Sequence, residues 1–339
     1  MKTRVSIVGA TGYSGAELTA ALARHRFAKI AGLYSGASST VTQFADIHPS
    51  LRKATGPAAK PFSMEGLLSD QADIVFLAIP NELSAEIAPA IIGAGAKVID
   101  LSGSHRLKRA EQYPPYYGFD HPAPHLLDQA VYGLTEWCNG ELFDAQLVAN
   151  PGCYATSILL ALLPIRDLIE PGHQIVCDAK SGTSGAGKKA DAAFSLTELA
   201  GDFKAYSVRN HRHVPEIAQQ LGLNVESIRF VPHLLPIPRG ILSTIYLRFS
   251  RRVSDPDLSE RFQNVYHAAD FVHVHPEGSH PSIRDVAGTP RCEIGYSILD
   301  DGWSAVVVSV IDNLLKGAAS QAVQNFNRVS GFDEREGLS

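Results

Sequence analysis

The chain has 339 residues, 45% hydrophobic and 19% charged, with a formal net charge of -5. That length fits two ordinary domains rather than one, and the composition gives a globular chain with a sizeable core. The acidic balance argues against nucleic acid as the main partner, and no apolar run reaches the roughly 18 residues of a membrane span.

The four cysteines, Cys138, Cys153, Cys177 and Cys292, lack CxxC spacing. This argues against a disulfide framework or a zinc site and for a reducing, cytoplasmic setting. The chain opens directly into a strand pattern, so no signal peptide is expected.

Residues 4–8 form a short apolar run ending in Gly9-Ala10-Thr11-Gly12-Tyr13-Ser14-Gly15, and a helical pattern follows over 16–24. Strand, glycine-rich turn and helix are the setting for a dinucleotide, whose pyrophosphate needs close backbone approach and a helix N-terminus. Here the spacing is GxxGxxG, and Gly9, Thr11, Gly12, Tyr13, Ser14 and Gly15 are the cofactor candidates. A second strand over 30–34 ends in Ser35-Gly36-Ala37-Ser38-Ser39-Thr40, with hydroxyls and no acid. An acid there would bind the ribose 2′-hydroxyl of NAD; hydroxyl donors suit a 2′-phosphate, so Ser35 and Ser38 favour NADP.

Residues 73–78 read as a buried parallel strand, with Ala78 and Pro80 at its carboxyl end on the cofactor side. A helix over 84–94, bent at Pro89, and a strand over 97–101 complete an alternating pattern, which predicts a doubly wound sheet. The loop Ser102-Gly103-Ser104-His105-Arg106 leaves the ligand-binding end of such a strand, and the Arg106 fork suits a phosphate. Residues 113–125, rich in Pro, Tyr and His, read as irregular.

After a strand over 146–149 comes Asn150-Pro151-Gly152-Cys153-Tyr154, then an apolar helical segment over 155–163. A thiol at a strand-to-helix turn meets free N–H groups and the helix dipole, conditions that favour a thiolate. Cys153 is read as the nucleophile, with Asn150 supplying an amide toward substrate.

A strand over 174–179 leads into Lys180-Ser181-Gly182-Thr183-Ser184-Gly185-Ala186-Gly187-Lys188-Lys189. Lys189 follows Gly187-Lys188 where a phosphate loop needs Ser or Thr, so a loop closing over ligand is expected instead. Ser181 and Gly182 are its substrate candidates and Gly185 its cofactor candidate.

In Asn210-His211-Arg212-His213-Val214-Pro215-Glu216-Ile217 the residues leave two readings open, a polar helix entry or a histidine–carboxylate acid/base group. Strands over 228–233 and 241–249 flank Pro236-Ile237-Pro238-Arg239-Gly240, where Arg239 is a candidate for a substrate carboxylate. The histidines of 273–280 lie among Pro276, Gly278 and Pro281 and read as solvated loop residues, and no metal site is expected. A strand over 305–310 precedes an amphipathic helix over 312–326, capped by Asp312 and expected to pack on the first domain; residues after 330 read as a frayed tail.

Taken together these stretches resemble the N-acetyl-gamma-glutamyl-phosphate reductase family, relatives of aspartate-semialdehyde dehydrogenase. The resemblance rests on 9–18, on Asp100-Leu101-Ser102-Gly103 with Arg106, on 150–154, on 181–187, on 211–217 and on 312–319. It implies an α/β fold with a Rossmann-type NADP-binding domain over 1–149, completed by 312–339, and an α+β catalytic and dimerisation domain over 150–311.

It further implies NADPH-dependent reduction of an acyl phosphate through a thioester on Cys153. His213 would be the acid/base with His211 and Glu216 in support, Arg106 would hold the acyl phosphate, and Asn313 would lie near the nicotinamide carboxamide. Homodimers or homotetramers are usual in the family. Two departures stand out: His105 replaces a common aromatic before Arg106, and one extra proline precedes Arg239. The alternatives are the same chemistry on aspartyl or aminoadipyl phosphate, or a non-catalytic NADP-binding regulator.

Overall fold

The computed structural model describes residues 2–36, 40–138, 140–188 and 196–338. Two compact units form, Met1–Gly152 with Ala318–Ser339, and Cys153–Gly317. Both crossings fall a few residues later than the sequence suggests. The return is late because Asp312 and Asn313 belong to the second unit: Asp312 Oδ2 accepts from the Gly288 N–H and Asn313 Oδ1 from the Gly240 N–H, each at 2.8 Å.

The first unit contains strands β1 (Thr3–Val8), β2 (Ala28–Ser35), β3 (Ala59–Pro61), β4 (Ile74–Leu77), β5 (Lys97–Asp100), β6 (Val131–Tyr132) and β7 (Leu147–Ala149). They form one sheet in the order β3-β2-β1-β4-β5-β7-β6, and every pairing is parallel. β4 is buried along its whole length, as a strand covered on both faces must be. Strand order reverses between β1 and β4, which opens a ligand crevice at their carboxyl ends.

Helix α1 (Tyr13–Arg24) starts three residues earlier than the apolar pattern, because Gly12 adopts the extended N-cap conformation. Helix α2 (Asn81–Gly93) runs through Pro89, where a bend was expected, with Ala85, Ala88 and Ile91 buried along its inner face. The segment read as irregular holds two short helices, Tyr113–Tyr117 and His125–Gln129. The prolines cause no break because they occupy a first turn, where no N–H partner is needed.

The second unit opens with helix α3 (Cys153–Leu162), buried from Tyr154 onward. Its strands are β8 (Ile175–Gly182), β9 (Lys204–Ala205), β10 (Ile228–Leu235), β11 (Ile241–Arg248), β12 (Val272–Val274), β13 (Cys292–Leu299) and β14 (Ser304–Ile311). They form a mixed sheet in the order β12-β13-β14-β11-β8-β10-β9. α3 packs on β11 and β14 and against helix α4 (His213–Leu221). The buried Ser157 Oγ meets Ser243 Oγ at 3.0 Å and Ser309 Oγ at 3.1 Å. His273, expected in a loop, lies in edge strand β12.

Asp312 Oδ1 accepts from the N–H groups of Leu314 and Leu315 at 2.9 and 3.1 Å, so it caps as expected. The turn it caps is a π-helical segment, Leu315–Ala319, and the regular helix α5 (Ser320–Ser330) follows in the first unit. There Phe326 meets Phe76 with ring centroids 5.9 Å apart. Residues 331–338 are docked rather than frayed. Phe332 stacks on Phe27 at 5.0 Å, Glu336 accepts from Arg26 N–H and Nε at 2.9 and 2.8 Å, and Leu338 is buried.

Candidate active site

In the first unit the glycine-rich turn crosses the end of β1. Gly9 has φ +93°, and a Cβ there would lie 2.1 Å from the Ala78 carbonyl oxygen at the end of β4. A Cβ on Gly15 would lie 2.0 Å from the Gly9 carbonyl oxygen. Glycine is therefore required at both positions, and the backbone closes into a tight cradle. Gly12 caps α1 without any side-chain hydrogen bond, which leaves the helix start open to an anion. Thr11, Tyr13 and Ser14 follow along the same turn, and Tyr13 is exposed. Pro80 caps α2 at the carboxyl end of β4 beside Ala78. These features fit a dinucleotide pyrophosphate. Ser35 is buried with Oγ 3.3 Å from the Lys60 carbonyl oxygen, while Ser38 lies outside the described residues.

The loop after β5 is organised by Asp100. Its Oδ1 accepts from Ser84 Oγ and the Ser102 N–H at 2.8 Å each, and its Oδ2 meets His105 Nδ1 and Ser104 Oγ at 2.7 Å each. Burial works to raise the Asp100 pKa, but the bonds from His105, Ser102 and Ser104 outweigh it and hold the carboxyl at about 2. The histidine that departs from the family's aromatic is thus an internal partner of this carboxylate. Arg106 is held in turn, with Nε donating to the Asn150 carbonyl and Nη2 to the Leu101 carbonyl, both at 2.8 Å. The Asn150 side chain turns inward, donating to the Ala318 carbonyl at 3.3 Å and accepting from Asn325 Nδ2 at 3.0 Å. Asn150 therefore orients Arg106 through its backbone carbonyl.

In the second unit Cys153 is the first residue of α3 and is partly exposed. A Cβ on Gly317 would lie 2.7 Å from the Cys153 Cβ, so the absent side chain makes room for the thiol. Tyr154 links Cys153 to the histidines, its ring centroid lying 5.7 Å from His211 and 5.8 Å from His213. The Tyr154 hydroxyl is 3.1 Å from that of Tyr206 and meets the Ser181 hydroxyl. Burial raises the Tyr206 pKa to about 12.

His213 is the first residue of α4, and its backbone N–H donates to His211 Nδ1 at 3.2 Å. Burial, then the Arg212 charge, lower the His211 pKa to about 3. His211 is therefore a neutral acceptor for the N–H at the start of α4. Glu216 is fully buried one turn along α4.

A further group closes around Asn313. Its Oδ1 accepts from the Gly240 N–H and its Nδ2 donates to Ser184 Oγ at 2.9 Å, tying the turn after β8 to the turn before β11. A Cβ on Gly182 would lie 2.7 Å from the Arg239 nitrogen, so that glycine permits the same close approach. Gly185 sits between Ser181 Oγ and Asn313 Nδ2. Arg239 Nη1 lies 3.6 Å from the buried Asp312 Oδ2.

Tyr154, Tyr206, Asp312 and Gly317 were not among the sequence candidates. Tyr154 and Gly317 had a signal, one adjoining the cysteine and the other inside the motif over 312–319. Tyr206 had none, because strand β9 just before it spans only Lys204–Ala205.

A Rossmann-type cradle in the first unit and, in the second, a cysteine at a helix start followed by the His211–His213 motif fit an oxidoreductase of the semialdehyde dehydrogenase class. Residues 4–145 match the semialdehyde dehydrogenase NAD binding domain, and residues 153–313 match the semialdehyde dehydrogenase dimerisation domain. The aspartate semialdehyde dehydrogenase II of Vibrio cholerae, complexed with ASA, superposes with a TM-score of 0.71 over 98% of this chain and 99% of that one, at 18% identity. An aspartate semialdehyde dehydrogenase from Candida albicans with NADP gives a TM-score of 0.66 over 97% and 99%, at 15% identity. These likenesses concern the fold.

The chain belongs to the N-acetyl-gamma-glutamyl-phosphate reductase family. It is 41% identical to the member from Halalkalibacterium halodurans over 99% of this chain and 98% of the relative. It is 43% identical to the Pectobacterium carotovorum member over 98% of each.

Proposed function

We propose that the chain reduces N-acetyl-gamma-glutamyl phosphate to N-acetylglutamate 5-semialdehyde, a step of arginine biosynthesis, with Cys153 as nucleophile and NADPH as reductant. The observation that carries this reading is Cys153 at the start of α3, next to Tyr154, whose ring meets both His211 and His213.

The Cys153 thiolate attacks the acyl carbon, the C–O bond to phosphate breaks, and inorganic phosphate leaves. When bound, NADPH supplies the hydride that reduces the resulting thioester. His213 holds the proton delivered to the thiohemiacetal oxygen, and the N–H groups at the start of α3 face the developing negative charge. The hydroxyl proton then returns to His213 as the C–S bond breaks, which frees the aldehyde and regenerates the thiolate, a good leaving group. Arg106 is assigned to the acyl phosphate, Arg239 to the substrate carboxylate, Ser181 and Gly182 to substrate positioning. Gly9, Thr11, Gly12, Tyr13, Ser14, Gly15, Ser35, Ala78, Pro80, Gly185 and Asn313 are assigned to NADP.

A homodimeric or homotetrameric, cytoplasmic enzyme is part of this reading. It is supported by the dimerisation-domain match, by four cysteines that are all free thiols, and by the absence among the described residues of any helix long and apolar enough to cross a membrane.

The test is the reverse reaction, with NADP, phosphate and either N-acetylglutamate semialdehyde or aspartate semialdehyde. Turnover preferring the acetylglutamyl aldehyde supports the reading. Preference for aspartate semialdehyde would keep the chemistry and change the substrate, and NADP binding without turnover on either would favour a regulator.

A further inference from the structure

The second unit carries a group of metal-ligating side chains that the chemistry at Cys153 does not use. β12 is an edge strand paired only with β13, in parallel, with Val272 beside Cys292, His273 beside Glu293 and Val274 beside Ile294. Side chains alternate along a strand, so residues two apart share a face and cross-strand neighbours share it too. His273, His275 and Glu293 are therefore set on one face by the register alone. The core takes the other set, Val272, Cys292 and Ile294, all buried.

One nitrogen from each histidine and one Glu293 oxygen all lie within 4.8 Å of one another. The imidazole centroids are 5.1 Å apart, and His275 Nε2 is 2.8 Å from Glu293 Oε2. Among the described residues this is the only such group of histidine, cysteine and carboxylate side chains. It opens into a cavity of about 560 Å³, also lined by Asp270, Asp285 and Arg291.

We propose that His273, His275 and Glu293 form a binding site for a divalent transition cation of the zinc class. Two imidazoles and one carboxylate suit zinc, cobalt or nickel and disfavour magnesium and calcium, which take oxygen ligands. Tetrahedral zinc at ~2.0–2.1 Å from nitrogen and oxygen places its ligand atoms roughly 3.3 Å apart. His275 and Glu293 are already within that spacing, and exposed His273 reaches it by side-chain rotation. Three protein ligands leave the remaining coordination to water.

Glu293 is buried, and the Arg291 charge faces it with Nη1 3.6 Å from Oε1. A cation shared with both histidines would balance the carboxylate and fasten the short edge strand to β13. None of these three side chains takes part in the chemistry assigned to Cys153, His213 and Arg106. A bound ion would thus stabilise the fold by mass action without entering the reaction.

The test uses the full chain carrying Cys153→Ser, so that no reactive thiol competes for metal. Chelator-stripped protein is titrated with Co²⁺ by visible absorbance and with Zn²⁺ by calorimetry. One cation per chain is expected, with affinity falling about tenfold or more in each of His273→Ala, His275→Ala and Glu293→Gln, and unchanged in the exposed control His267→Ala. Zn²⁺ should raise the melting temperature of the parent and not of His273→Ala, a surface substitution that leaves the core intact. Binding that survives His273→Ala with His275→Ala combined, binding lost only on His213→Ala, or no saturable binding would each overturn the proposal.

Discussion

The backbone N–H of His213 donates to Nδ1 of His211 at 3.2 Å, so the two histidines of one motif stand in different settings. An acceptor nitrogen cannot carry a proton, which commits His211 to the neutral form and fixes the start of α4. His213, whose ring lies 4.8 Å from that of His211, is the histidine to which the proposed function assigns proton transfer. His211→Gln, which keeps an acceptor, should retain more kcat than His211→Phe, which leaves the N–H without one. Equal losses in kcat and KM would contradict this division of roles.

The same burial makes stability depend on pH. The folded pKa of His211 lies at about 3, below the ordinary value near 6.5, so the unfolded chain binds the proton first as pH falls. Its stabilising contribution is complete above about pH 6.5 and is lost progressively toward pH 3. Each such histidine contributes a slope of up to about 1.4 kcal/mol per pH unit in that window. His121, lowered to about 4 chiefly by burial, acts in the same direction. Urea melts from pH 7 to pH 5 should show a smaller loss of stability in His211→Gln than in the parent.

Gly317→Ala tests the packing of the nucleophile. The new methyl would lie 2.7 Å from the Cys153 Cβ, which cannot rotate away, so the thiol must shift. A displacement of that kind costs about 10²-fold in rate. The expected signature is a large fall in kcat with little change in NADP affinity, read by equilibrium titration.

Asn313→Ala should loosen both turns that it ties. It leaves the Gly240 N–H and Ser184 Oγ without this partner, a cost of about 1–3 kcal/mol for the buried N–H. Denaturant melts check the stability, and substrate KM checks the turn that carries Arg239.

Much of this was legible in the sequence because local chemistry and global position agreed. The GxxGxxG turn declared itself through glycines that only a crossing backbone requires, and Gly9 at φ +93° against the Ala78 carbonyl is the physical reason. The position of Cys153 at a helix start was legible because a strand, a Pro-Gly turn and an apolar helix surround it.

What was hidden depended on pairing across long stretches of chain. His105 looked like a departure until Asp100 met it at 2.7 Å, and the docked tail rests on Glu336 meeting Arg26. Asn150 was read as a substrate ligand, but its side chain is bonded to Ala318 and Asn325. His273 and Glu293 are twenty residues apart and become neighbours only through the register of β12 and β13.

The central claim is that Cys153 carries the acyl group, and a half-reaction tests it most directly. N-acetylglutamate semialdehyde and NADP are mixed with enzyme in the absence of phosphate, and NADPH is followed by its absorbance. The account predicts a burst of one NADPH per active site, an acyl adduct on the Cys153 peptide by mass, and steady turnover once phosphate is added. Cys153→Ser should give no burst while still binding NADP. A burst that persists in Cys153→Ser, or an adduct on another residue, would contradict the account.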